Sequence, residues 1–127
     1  HRLIRLADIK LLYAEALHHN GNDPDALQQV QDVRNRVGLG ASPFTAEGVA
    51  KVIEWERILE LSGESQRFFD MMRYGYFDGT GGAEFDIVKI KIRDPEFNSI
   101  NLITKGYLPI PTRELDLNEG IEQNLGW

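Results

Sequence analysis

Glu15 and His18 stand three residues apart in a stretch that reads as helix, so a carboxylate and an imidazole share one face there. Di-iron bundles use this spacing to ligate metal. They need two such motifs plus two further carboxylates from facing helices. The other histidines, His1 and His19, have no glutamate three residues before them. His18 beside a helix C-terminus, where a cation meets the negative pole, is the ordinary reading. No metal and no cofactor are expected.

Glu56 and Glu60 lie one helical turn apart and suggest a glycosidase carboxylate pair. Such pairs project from separate elements across a cleft. Two glutamates on one apolar-faced helix are better read as partners of Arg57, Arg67 or Arg73, because a desolvated carboxylate needs a cation. Gly79-Thr-Gly-Gly82 lacks the Gly-Lys-Ser/Thr ending of a phosphate loop. No serine sits in a glycine-flanked elbow. Tyr74, Tyr76 and Phe77 flank a glycine-rich loop and could stack on sugar rings, which makes them the ligand-binding candidates. Aromatic residues more often fill cores, and packing is the competing reading. No catalytic set assembles.

The bulk properties narrow the function classes. The 127 residues are 42% hydrophobic and 27% charged, which suits one domain with a modest core. A net charge of -6 argues against nucleic acid as partner, since phosphate neutralisation needs a concentrated basic surface. Arg34/Arg36 and Lys89/Lys91 are short basic clusters only. With no cysteine there are no disulfides, thiolate metal sites or cysteine nucleophile. No run reaches the roughly 18 apolar residues of a membrane helix. The start at His1, without Met, suggests the inside of a longer chain.

The elements follow from periodicity. A first helix over residues 3–19 places Leu6, Ile9 or Lys10, Tyr13, Ala14 and Leu17 on one face. Asn20-Gly21 stops it, Asp23 caps the next helix, and Pro24 suits its first position. The second helix turns Ala26, Leu27, Val30, Val33 and Val37 inward and ends at Gly38. Ala14, Leu17, Gly21, Ala26, Val30 and Val33 have the spacing of a tetratricopeptide helix pair. One pair cannot bury both its faces, so it reads as a terminal unit in a larger helical layer.

Thr45 should cap a third helix over residues 46–61, with Val49, Val52, Ile53, Trp55, Ile58 and Leu59 on its apolar face. A fourth, over residues 65–74, should bury Phe68, Met71 and Met72. Residues 75–82 contain four glycines and read as loop. Val88-Lys-Ile-Lys-Ile92 alternates like a half-exposed strand. A second extended piece near residues 102–108 would pair with it as a short β-hairpin. Thr112 should cap one helical turn through Leu117, before an irregular tail. The fold class is mainly α: tetratricopeptide-like helical pairs, about four helices, with an irregular C-terminal wrap.

Together these residues resemble the C-terminal part of the SusD/RagB family. The matching pieces are Arg5-Leu-Ala-Asp-Ile-Lys-Leu-Leu-Tyr-Ala-Glu-Ala-Leu17, Ala26-Leu27 and Val33-Arg-Asn-Arg-Val-Gly-Leu39. Glu56-Arg57, Glu60-Leu61 and Gly63-Glu64 follow, with Arg67, Phe68 and Asp70. The last are Leu108-Pro-Ile-Pro111, Glu114 and Gln123-Asn124. Each motif is weak alone, and their order carries the resemblance. Leu125 and Trp127 stand where the family usually has Pro and Tyr.

The resemblance implies a non-catalytic, surface-exposed glycan-binding lipoprotein of the outer membrane. Its lipid anchor would lie outside this segment, and its partner would be a SusC-like TonB-dependent transporter. The whole chain, residues 1–127, is then one C-terminal SusD-like domain of a longer protein. Glu56, Glu60, Arg67 and Asp70 are expected to form architectural ion pairs. No sugar-contacting residue carries over. A tetratricopeptide-like scaffold for protein–protein interaction is the alternative.

Overall fold

The computed structural model describes residues 4–82, 85–96 and 108–124. The chain divides into two compact units, His1–Arg67 and Phe68–Trp127.

In the first unit α1 (Leu6–His19) and α2 (Asp23–Asn35) pack on each other and on α3 (Val49–Glu60). The turn from α1 to α2 is tight because Gly21 takes φ 76°, a left-handed value that glycine adopts without a Cβ penalty. Gly21 N–H donates to His18 O at 2.9 Å and Asn22 N–H to Leu17 O at 2.9 Å, a complete Schellman cap. The same pair of bonds closes α2 at Gly38, from Gly38 N–H to Asn35 O and Leu39 N–H to Arg34 O. Asn22, rather than Asp23, is the N-cap of α2: its side chain accepts from Asp25 N–H, so Asp23 and Pro24 enter the first turn.

Ala14 and Ala26 are wholly buried, so α1 and α2 approach closely, as their small side chains allow. Leu11, Val30, Val33, Val52 and Ile53 complete this core, edged by Ala7, Leu17, Leu27, Phe44 and Val49. The inward face of α1 is in part the expected one, since Ala14 is buried and Leu17 packs against the core. Leu6, Ile9 and Tyr13 are 74%, 48% and 54% exposed, while Leu11 points inward with Ala14. Ala7 and Leu11 also recur at helical period with Ala14, and contact with α2 and α3 selects them over Leu6, Ile9 and Tyr13. Val37 and Leu59 are likewise exposed.

α3 begins later than Thr45 suggests. Thr45–Glu47 forms a 3-10 turn, and Gly48 at φ 94° separates it from the α-helix. Phe44 stacks on Trp55 across this junction, with ring centroids 4.7 Å apart. The packing of that aromatic pair takes precedence over a continuous helix.

The second unit holds α4 (Arg67–Arg73, its first residue in the first unit), α5 (Ile87–Arg93) and α6 (Thr112–Leu117). α4 is shorter than expected, and Phe68 is 41% exposed while Asp70 is buried. Gly75 at φ 75° closes α4 with another Schellman pair, Gly75 N–H to Met72 O and Tyr76 N–H to Met71 O.

The strand expected at Val88–Ile92 is instead α5, and no strand occurs among the described residues. Asp86 caps it, accepting from Val88 N–H at 2.8 Å. Ile87 and Ile90, three residues apart, enter a cluster with Tyr76 and Phe77; Val88 and Ile92 are left outside. The cluster needs two isoleucines on one side, and that tertiary demand overrides the β-propensity of the run. Residues 102–107 of the expected hairpin partner lie outside the described residues.

Residues 108–111 are irregular and extended at Pro111, with φ -54° and ψ 135°. Pro111 is the N-cap of α6, so Thr112 is the first helical residue rather than the cap. Residues 118–124 are irregular, and Gln123 and Asn124 hydrogen-bond back to residues 108–110.

Candidate functional site

The charged residues of the first unit form a lattice that joins its three helices. Arg57 Nη1 on α3 meets Asp8 Oδ1 on α1 at 2.8 Å. Arg34 Nη1 on α2 meets Glu56 Oε2 at 2.7 Å, with both side chains more than nine-tenths buried. Arg34 Nε also donates to Gly40 O at 2.7 Å, so it tethers the loop after α2. Glu60 receives two cations: Arg5 at the N-cap of α1, and Arg36 at the end of α2 through both carboxylate oxygens at 2.9 Å. Arg5 Nη1 reaches Glu64 at 2.8 Å. Glu54, also buried, takes Lys51 and Arg67 at 2.7 Å each.

Glu56 and Glu60 are therefore ion-paired acceptors, but with partners other than Arg57, Arg67 or Arg73. Those three arginines face Asp8, Glu54 and Asp70 respectively. The partnership crosses elements: Arg34 is 22 residues from Glu56, and Arg5 is 55 from Glu60. Spacing within one helix cannot reveal it. The only sequence signal was the presence of Val33-Arg-Asn-Arg and Glu56 in one ordered motif set.

Beside this lattice lies an open cleft of about 510 Å³. Leu6, Ala7 and Val33 give it apolar wall; Arg5, Lys10, Asp32, Arg36 and Glu60 give it charged wall. Lys10 Nζ donates to Asp32 Oδ2 at 2.7 Å and Gln28 Nε2 to Asp32 Oδ1 at 2.9 Å. These two hydrogen bonds, with Lys10 the stronger, hold the Asp32 carboxyl below its ordinary value. The cations of the cleft thus already face carboxylates, and the surface is a mixed polar–apolar one.

His18 Nδ1 lies 2.6 Å from Asp23 Oδ1, which clasps the end of α1 to the start of α2. Glu15 is buried in the first unit. Among the described residues no three His, Asp or Glu side chains converge as a metal centre.

The aromatic trio sits in the second unit. Tyr76 and Phe77 are 4% and 7% exposed and belong to its core. Tyr74 is half-buried. Phe85 stacks on its ring at 4.8 Å, and the Arg73 guanidinium carbon lies 4.8 Å from its centroid. In the adjoining loop, Asp78 accepts from Thr80 Oγ1 at 2.6 Å and Thr80 N–H at 2.9 Å, and these bonds lower the Asp78 carboxyl from its ordinary value. More exposed aromatic surface occurs at Phe68 and Phe69, packed edge to face at 5.8 Å.

Comparison with known proteins gives two findings. The family model described as the SusD family matches residues 1–127. The chain is also similar to the SusD-like protein P25 of Formosa agariphila, 29% identical over 124 residues, which cover 91% of this chain and 22% of that protein. The chain thus spans about a fifth of the length of that curated relative. No solved structure matches the chain.

Proposed function

This chain belongs to the SusD family, and from that premise we propose that it is part of a non-catalytic oligosaccharide-binding protein. The protein works at the outer-membrane surface, attached by a lipid anchor outside this segment, and delivers glycan to a SusC-like TonB-dependent transporter. The observation that carries this reading is the family match running unbroken across both units. The same match supports reading residues 1–127 as one SusD-like domain. The ion-paired state of Glu56 and Glu60 agrees with a binding role, since both carboxylates are already bound to arginines. No described helix is long and apolar enough to cross a membrane.

Of the aromatic trio, Tyr74 is the residue left to propose as a sugar contact, because Tyr76 and Phe77 are enclosed. Calorimetry of the full-length protein against a panel of plant, algal and host oligosaccharides tests the function. Binding of one class, weakened by Tyr74→Ala, supports both statements; undiminished binding removes Tyr74 alone. A panel with no binding counts against the glycan role.

The second reading, a tetratricopeptide-like protein-binding scaffold, is favoured by one observation. α1 is apolar on two faces, and Leu6, Ile9 and Tyr13 remain exposed. Helices apolar all round are normally covered on all sides. Capture of a protein partner that is lost on Tyr13→Lys, with no glycan binding, would favour it.

A further inference from the structure

We propose that Asn20-Gly21, at the turn between α1 and α2, is a site of spontaneous deamidation gated by opening of that turn. Asparagine or aspartate precedes glycine at two places in the chain, Asn20-Gly21 and Asp78-Gly79. Glycine leaves its own nitrogen unshielded, because it has no side chain to block approach. In the reaction the Gly21 nitrogen gives up its proton and bonds to Asn20 Cγ. The Cγ–Nδ2 bond breaks, and ammonia leaves with that proton. Water then opens the cyclic imide at either carbonyl, leaving aspartate or isoaspartate at position 20.

The geometry makes the first site reactive and the second resistant. Asn20 and Gly21 are both exposed, and the Asn20 side chain makes no hydrogen bond among the described residues. A Cβ built on Gly21 would meet nothing within 4 Å, so no packing resists movement of the turn. Asp78, in contrast, is held by both the backbone and hydroxyl of Thr80, at 2.9 and 2.6 Å. That arrangement keeps it as a carboxylate, which is a poor acceptor for a nitrogen nucleophile.

The closed turn also restrains Asn20. Gly21 N–H, the group that must lose its proton, donates to His18 O at 2.9 Å. Asn20 has ψ 7°, a near-helical value fixed by the cap, and Asn22 N–H bonds to Leu17 O. The His18–Asp23 contact at 2.6 Å, between residues five apart in sequence, closes over the same turn. Attack therefore requires a local opening in which these contacts separate, and a surface turn opens far more often than the whole domain. The product weakens what it came from. A carboxylate at position 20 meets the negative pole of α1, and isoaspartate lengthens the main chain in the turn that sets α1 against α2.

The test is incubation of the chain at mildly alkaline pH, followed by peptide mapping for mass gain and isoaspartate. A synthetic peptide of residues 16–25 is treated in parallel. Product should form at position 20, at least about tenfold more slowly than in the peptide, because only the open fraction reacts. Asp23→Ala should bring the rate toward that of the peptide. If that variant loses its fold, amide exchange at Gly21 in the unaltered chain measures the opening independently, and it should be faster than exchange in the core of α1. No product at position 20 after the peptide has fully converted would overturn the site. Equal rates in chain and peptide would overturn the gating, and earlier reaction at Asp78-Gly79 would overturn the assignment.

Discussion

Gln123 grips both backbone groups of Ile110: its Oε1 accepts from Ile110 N–H at 2.8 Å, and its Nε2 donates to Ile110 O at 3.0 Å. The same Oε1 accepts from Asn124 N–H at 2.9 Å, while Asn124 Nδ2 donates to Leu108 O at 2.7 Å. Neighbouring Pro109 and Pro111 have no N–H to donate to a ladder. A side-chain amide thus supplies the pairing that a strand would. Gln123→Ala removes three hydrogen bonds, each contributing about 0.5–1.5 kcal/mol net. Hydrogen exchange should show faster exchange at the Ile110 amide while the α1 and α2 amides hold their rates. Gln123→Glu keeps the acceptor but loses the donor to Ile110 O, so it should fall between the two.

Arg34 and Glu56 form an ion pair buried at both ends, with side chains 8% and 6% exposed. Removing one partner leaves a buried charge without its counter-ion, which costs about 3–5 kcal/mol. Arg34→Met should therefore destabilise strongly, and more than Arg36→Met, whose side chain is 59% exposed. The double change Arg34→Met with Glu56→Met should recover much of the loss, since apolar replacement of both ions is often neutral. Denaturant titration of the four proteins checks the ranking. A double variant less stable than Arg34→Met would show that the pair contributes more than mutual neutralisation.

The helix pair was legible because its cues are local. Gly21, Gly38 and Gly75 end helices at left-handed φ, and Ala14 and Ala26 mark the closest approach. The inward stripe of α1 was legible at Ala14 and Leu17 only, since Leu6-Ile9-Tyr13 and Ala7-Leu11 both stand at helical period to them and only the neighbours choose between the two sets. α5 was missed for a related reason. Val88-Lys-Ile-Lys-Ile92 alternates, and the contact of Ile87 and Ile90 with Tyr76 and Phe77 is a tertiary fact. At the charged lattice, the residue types were legible and the pairing was not. Asp8–Arg57 and Arg34–Glu56 join residues 49 and 22 apart.

Asp32 gives a pH prediction. Lys10 first, and Gln28 second, hold its carboxyl below the ordinary aspartate value. The folded pKa is lower than the unfolded one, so the contribution is present above the ordinary value of 3.8 and is lost as pH falls through the folded pKa. The Asp32 side chain is 36% exposed, and its effect on stability should be small and reduced by salt. Carboxyl chemical shifts should place the Asp32 titration below the ordinary aspartate value of 3.8. Lys10→Met should move it back toward the ordinary range, and a titration unchanged by that substitution would mean the hydrogen bond does not form in solution.

The glycine loop of the second unit gives the sharpest contrast. Gly81 N–H donates to Gly75 O at 3.2 Å, which folds the loop onto itself. A Cβ on Gly81 would run into Tyr74 O, and would stand 2.6 Å from Phe85 Cβ and 2.8 Å from Phe85 O. Neither carbonyl can move without disturbing the Tyr74–Phe85 stack. A Cβ on Gly75 would meet the backbone of Gly81 and Thr80, and φ 75° adds strain. Either alanine should cost about 1–3 kcal/mol as overpacking, with Gly75→Ala the worse by about 1 kcal/mol of left-handed strain. Gly40→Ala is the control, because its added Cβ would touch nothing within 4 Å and its φ is not left-handed. That substitution should be neutral or stabilise by about 0.4–1 kcal/mol through the unfolded chain. Thermal melts of the three variants check the order, and a Gly81→Ala protein as stable as Gly40→Ala would show that the loop does not close on α4 as described.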